Sequence, residues 1–178
     1  QDGVETLLAN PAWLLFLRRL RCVVWEDQTV HPPRQIIVER TADVLTMKTS
    51  DAHTGALESR EVRYFVHRKV VTVPAKLWQE GHREEEIVVA FHPDMTDSSG
   101  AEEDEGTREY ADPRNQQQPV FCFLPVRSVG FRFLLHAPWV LTSNREDWHL
   151  ENPWNGWLRD ASASVLAEAI TRFSKERG

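Results

Sequence analysis

Cysteine is nearly missing from this sequence: Cys22 and Cys122 are the only two among 178 residues. That scarcity excludes a disulfide-dense scaffold, and each thiol sits in an apolar run, Cys-Val-Val-Trp and Val-Phe-Cys-Phe-Leu, so both read as buried free thiols of a reducing compartment, with a disulfide or redox pair as the alternative. Long apolar runs are missing too. No stretch approaches the roughly 20 residues of a membrane-spanning helix. The short run Trp13–Leu17 is followed by Arg18, Arg19 and Arg21 with no small-residue cleavage site, so the first thirty residues are not read as a signal peptide. The chain starts abruptly at Gln1 and is expected to be a fragment of a larger protein. Seven histidines occur, but the nearest pair, His82 and His92, lies ten residues apart, so no zinc-ligand spacing exists and no metal is expected. Glycine is scarce, at eight residues, and Gly130 and Gly156 stand alone. A glycine-rich phosphate cradle of either common type is therefore absent. Serines and cysteines lack a neighbouring His/Asp constellation. No catalytic residue is expected in this chain in isolation, and it is not read as an enzyme.

What is present is a globular balance, with 41% hydrophobic and 27% charged residues, enough to build one core in a chain of this length. A single α+β domain over 1–178 is expected. The net charge of −6 is local. Between Asp94 and Pro113 lie eight acids (Asp94, Asp97, Glu102, Glu103, Asp104, Glu105, Glu109 and Asp112) against Arg108, a balance of −7 that leaves +1 elsewhere. The segment 94–119 also contains Asn115-Gln116-Gln117-Gln118 and is expected to be a flexible acidic insertion, since it has too little apolar surface to offset ordering entropy. The basic cluster Arg18–Arg21 lies on one helix of a net acidic chain, so no nucleic-acid partner is expected, and no membrane partner either.

Patterning places the elements. Asn10-Pro11 suits a helix start, and Trp13, Leu14, Leu17 and Leu20 predict a helix to about Arg21. Strands follow at Cys22–Trp25, Gln35–Glu39 and Val44–Lys48, the last two flanking the turn Thr41-Ala42-Asp43. Asp51–Ser59 reads as a loop and Glu61–Val73 as one long strand; Phe65 breaks its alternation, which suggests that both faces are covered. Ala75–Gly81 predicts a helical turn carrying Trp78, and Glu86–Phe91 a further strand. Val120–Val126 and Gly130–Leu141 are the most apolar strands, expected as a central hairpin joined by Arg127-Ser128-Val129. Asn152-Pro153 opens a second helix to about Lys175, with Trp154, Trp157, Leu158, Ala161, Val165, Ala169 and Phe173 along one face. The fold expected is a mostly antiparallel sheet of six or seven strands flanked by an N-terminal and a long C-terminal helix. Trp13, Trp148, Trp154 and Trp157 are its expected structural anchors.

One region carries a candidate site. Two apolar strands deliver the polar turn Thr142–Asp147 to a sheet edge, a usual way for a rigid scaffold to present functional groups. A plainer alternative is that Thr142 and Ser143 merely start a turn and that Arg145 pairs with Glu146 or a nearby acid.

The motif from Phe121 to Trp148 (Phe-Cys-Phe-Leu-Pro, then a second strand and Ser-Asn-Arg-Glu), followed by Pro153-Trp-Asn-Gly-Trp-Leu158, resembles a pattern in sacsin-like and NO VEIN-like large proteins. There it follows an ATP-binding lobe of the GHKL, heat-shock-chaperone type. The passage Leu14–Trp25 resembles an earlier stretch of the same region, and the matching segments together cover less than a third of the chain. The resemblance implies that ATP and magnesium belong to the upstream lobe of the parent protein and not to this chain, which lacks both the acidic-Asn helix and the Asp-x-Gly-x-Gly motif. By analogy with related chaperone ATPases, Arg145, and after it Arg127, would reach the γ-phosphate; arginine suits that task because it stays charged and donates in a plane. The function implied is a non-catalytic coupling or regulatory domain, partnered by the upstream lobe of the same chain and by a client protein, in the cytoplasm or the nucleus. The alternative is an autonomous protein–protein interaction module that binds through an exposed tryptophan or the acidic segment.

Overall fold

The computed structural model describes residues 11–29, 34–50, 57–78, 83–92 and 117–177; the acidic segment 94–116, Asn10, the Pro32-Pro33 break and Gly81 lie outside the described residues. The class is α+β, as expected, but the sheet is not single. Among the described residues there are two sheets, of four and five strands. The single domain read over 1–178 is described as two compact units, one ending at Tyr64 and the other starting at Phe65.

The first unit is a meander of β1 (Cys22–Asp27), β2 (Arg34–Thr41), β3 (Val44–Ser50) and β4 (Leu57–Arg63), each antiparallel to the next. Thr41 pairs with Val44 around the turn Ala42-Asp43, where Ala42 takes a φ of 52°. Ile36 and Val38 alternate inwards on β2, as a period of two requires.

The expected helix to Arg21 is a correction: a 3-10 helix covers Pro11–Phe16 only. Ala12, Trp13, Leu14, Leu15 and Phe16 are all buried in succession, whereas a two-sided helix needs a solvent face. Past Phe16 the backbone is recruited elsewhere. The Arg40 guanidinium donates to the Leu17 carbonyl at 3.1 Å, and Arg40 N–H donates to the Arg21 carbonyl at 2.7 Å. Cys22 is a second correction, because it is exposed at the start of β1.

The long strand expected over Glu61–Val73 is two strands. Its first part belongs to β4, which begins at Leu57 inside the expected loop and ends where Tyr64 N–H donates to the Asp43 carbonyl at 2.8 Å. Its second part is β5 (Phe65–Thr72) of the other sheet. The alternation break at Phe65 thus marks a change of sheet. Phe65 packs its ring against Phe173 and Phe91, with centroids 4.9 and 6.3 Å away.

The second unit continues through a short 3-10 turn, Ala75–Leu77, to β6 (Glu84–Phe91), β7 (Pro119–Cys122), β8 (Leu124–Ser128), β9 (Leu134–His136) and α1 (Pro153–Arg177). Strand order is β5-β6-β9-β7-β8. The central hairpin expected between Val120–Val126 and Gly130–Leu141 is also corrected. The reversal comes at Phe123, whose φ of 64° turns β7 straight into β8, and β9 then lies parallel to β7.

α1 is built as the sequence indicates. Asn152 caps it, its Oδ1 accepting from Trp154 N–H at 2.9 Å, with Pro153 in the first turn. Trp154, Leu158, Val165 and Ala169 form the buried rail against Val73, Ile87, Val89, Phe91 and Leu135. Lys69 of β5 pairs with Glu168 of α1. No helix among the described residues is long and apolar enough to cross a membrane.

Candidate functional site

The polar turn Thr142–Asp147 is a closed loop. Leu141 and Trp148 bridge across its neck, and Thr142 N–H donates to the Asp147 carbonyl at 2.8 Å. Thr142 is the hub. Its carbonyl accepts from Arg145 N–H at 2.9 Å; its Oγ1 donates to Asn144 Oδ1 at 2.7 Å and accepts from Asp147 N–H at 3.2 Å. Asn144 in turn donates to Glu146 Oε2 at 2.6 Å. A run of short polar side chains forms such a turn because each bonds a backbone group or a side chain two to five residues away.

The structure brings the two candidate arginines to this turn in different conditions. Arg127, on β8, is committed: its Nη1 lies 2.6 Å from Asp147 Oδ2, and its guanidinium sits 5.6 Å from the Trp148 ring centre. That pair is half exposed and fixes direction more than stability. Arg145 is exposed and takes a φ of 60°, a left-handed conformation that costs an ordinary residue roughly 1–2 kcal/mol. Its side-chain contact is long, Nη2 to the Cys122 carbonyl at 3.5 Å. The plain alternative of an Arg145–Glu146 pair is not what forms, since Glu146 turns to Asn144.

Cys122 lies beneath Arg145. Burial pushes its thiol above the ordinary range; the nearby Arg145 charge and a backbone hydrogen bond at Trp139 act the other way and do not prevail. The expectation of a buried thiol is met at this position.

The four tryptophan anchors are spread over both units. Trp13 is buried in the first unit. In the second, Trp154 is buried and its indole N–H donates to the Pro138 carbonyl at 3.0 Å. Trp157 is half-buried, edge-on to Trp154 at 5.2 Å. Trp148 is half-buried and stacks on Trp139 at 5.5 Å.

Sequence reasoning missed the residue that ties the turn to α1. Asn155 is buried, and its Oδ1 accepts from Val140 N–H at 2.9 Å while its Nδ2 donates to the Val140 and His149 carbonyls at 2.8 and 2.9 Å. One amide thus closes both flanks of the loop. Its position between Trp154 and Trp157, on the buried side of a helix, was the only available signal. Among the described residues, no three His, Cys, Asp or Glu side chains converge as metal ligands.

No family model matches this sequence, and no solved structure matches it. The Protein NO VEIN of Arabidopsis thaliana is 28% identical to it over 167 residues. The chain spans only 5% of that relative's length. Because the similarity takes in 92% of this chain, and so extends through both units, the sequence is NO VEIN-like, the counterpart of one small segment of that protein.

Proposed function

We propose that this chain is a non-catalytic coupling or regulatory segment of a larger, chaperone-like protein, acting on a GHKL-type ATP-binding lobe upstream of it. The observation that carries the reading is the state of Arg145. An exposed cation is held in a left-handed backbone by a turn braced at both flanks, without an ion pair among the described residues. Backbone strain of this kind is maintained only where its surroundings over-determine it, and it is a recognised mark of functional turns. Arg127 serves as the brace, locking Asp147 and covering Trp148, while Arg145 is the group offered to a phosphate. The similarity to a small part of a much longer protein supports the placement within a larger chain.

The interaction-module reading has its own observation. Trp78 is 50% exposed although its indole N–H is bonded to the Val73 carbonyl, which fixes an aromatic surface in place. A titration separates the readings. Calorimetry with Mg-ATP should be silent for the 178-residue chain and positive for a longer protein that includes the upstream lobe. Micromolar binding by the short chain, or none by the long one, would overturn the coupling reading and leave the interaction module.

A further inference from the structure

The second unit holds a cavity of about 370 Å³, lined by α1 and by residues between Val120 and Leu150. That volume is within the usual range of small-molecule sites. A dry apolar cavity of roughly 150 Å³ takes benzene, so this one has room for two fused rings. On the α1 side Gly156 and Ala163 keep the space open, and a Cβ added at Gly156 would meet nothing within 4 Å. The remaining lining carries four aromatic rings in two stacked pairs. Phe131 lies 4.6 Å from Phe133, and Trp139 5.5 Å from Trp148, ring centre to ring centre. The site is deep, because Leu135 and Trp139 within it are buried, and it meets solvent at Phe131 and Leu150, which are exposed.

The cavity is held open before anything enters it. Asn155 of α1 bonds Val140 and the His149 carbonyl, so the wall carrying Trp148 and Leu150 on either side of His149 is pinned to the helix. A pre-formed site spares a ligand the cost of ordering the walls. The surface it offers is apolar. The Asn155 amide is spent on those backbone groups, and Trp139 Nε1 and Ser162 Oγ are buried within the packing and show no surface to a ligand. Arg159, the one charged residue among the described lining, keeps its exposed guanidinium on Asp160 at 2.9 Å. A charged ligand would therefore lose its water without gaining a partner.

We propose that this cavity binds a neutral, planar aromatic molecule of about two fused rings. The ligand packs against the Phe131–Phe133 and Trp139–Trp148 pairs, edge-on or offset as aromatic rings prefer. Apolar area removed from water on both ligand and walls drives the binding. The inference does not depend on Arg145 or on an ATP lobe.

The probe is 2-acetyl-6-(dimethylamino)naphthalene, a neutral two-ring fluorophore whose emission moves to the blue when it leaves water, titrated into the 178-residue chain. Saturable one-to-one binding with a blue shift is expected. Neutral 2-acetylnaphthalene should displace the probe, and anionic 2-naphthoate should compete about tenfold less well or worse. Gly156→Leu and Ala163→Phe fill the cavity from α1 and should each weaken binding about tenfold or more. The melting temperature should hold in both, since Gly156 has room for a side chain and Ala163 is exposed. Val70→Ser, which removes an exposed apolar side chain outside the cavity, should leave the affinity unchanged. No saturation up to the solubility of the probe overturns the proposal and leaves the opening to a side chain of a protein partner. Unchanged affinity in both folded cavity variants overturns it too, as does an equal loss in Val70→Ser or tighter binding of 2-naphthoate.

Discussion

Asn155→Leu should be among the most damaging polar substitutions in the second unit. The amide serves three backbone groups: Val140 N–H, the Val140 carbonyl and the His149 carbonyl. Leucine keeps the branched outline, though it is bulkier, and leaves all three unserved. A buried group stripped of its partner costs about 1–3 kcal/mol. Asn155 itself is 4% exposed, but Val140 is half-buried and His149 exposed, so water can reach part of what is released. The two Val140 groups therefore dominate, and the expected loss is roughly 2–4 kcal/mol. Urea denaturation followed by tryptophan fluorescence measures it, as a lower midpoint with an unchanged slope. Asn155→Asp should cost at least as much, because a carboxylate accepts from Val140 N–H but repels both carbonyls. The turn should also loosen, visible as faster amide exchange at Thr142, Arg145 and Asp147. A loss under about 0.5 kcal/mol for Asn155→Leu would refute the claim that this amide joins the loop to α1, placing the change among ordinary surface substitutions.

Trp154→Ala should destabilise by about 3–5 kcal/mol, since a buried ring and its bond to the Pro138 carbonyl go together; an unchanged denaturation midpoint would show that the ring is not an anchor. Exposed Cys22 should alkylate well before buried Cys122 in the native chain, and equal rates would contradict the burial of Cys122. The pH dependence follows from the same thiol. Its folded pKa is raised, so its contribution to stability is complete below the unfolded thiol pKa and is lost as pH climbs through the folded one. Cys122→Ala should remove that alkaline decline, and persistence of the decline would assign it elsewhere.

The helix α1 was legible because its signals are local: an Asn-Pro start and apolar residues at helical spacing. The strand over Gln35–Glu39 was legible too, but which of Ile36, Ile37 and Val38 point inwards was not, because the three form one apolar run. The division into two sheets was not. It turns on Tyr64 and Phe65, adjacent aromatic residues with no glycine or proline between the flanking strands. The reversal at Phe123 was hidden in the same way, since an apolar residue at positive φ announces no turn. The N-terminal helix was over-read because burial of five successive residues looks like helical spacing when only some are counted. At the site, the turn and its two arginines could be found from polarity and position. The partners of Asn155, six and fifteen residues upstream, and the empty bonding of Trp139 and Ser162 depend on tertiary packing that no local pattern encodes.

The central claim concerns Arg145, and a paired measurement tests it. Arg145→Ala leaves the left-handed backbone cost in place, because alanine pays it as well, and it removes a single long contact to the Cys122 carbonyl. Thermal melting of the 178-residue chain should therefore shift by little. The steady-state ATPase rate of the longer protein, with the upstream lobe present, should fall at least tenfold, where a full arginine finger is worth about 10³–10⁵ in turnover. An unchanged rate in a demonstrably active longer protein would contradict the account and remove Arg145 from any coupling role.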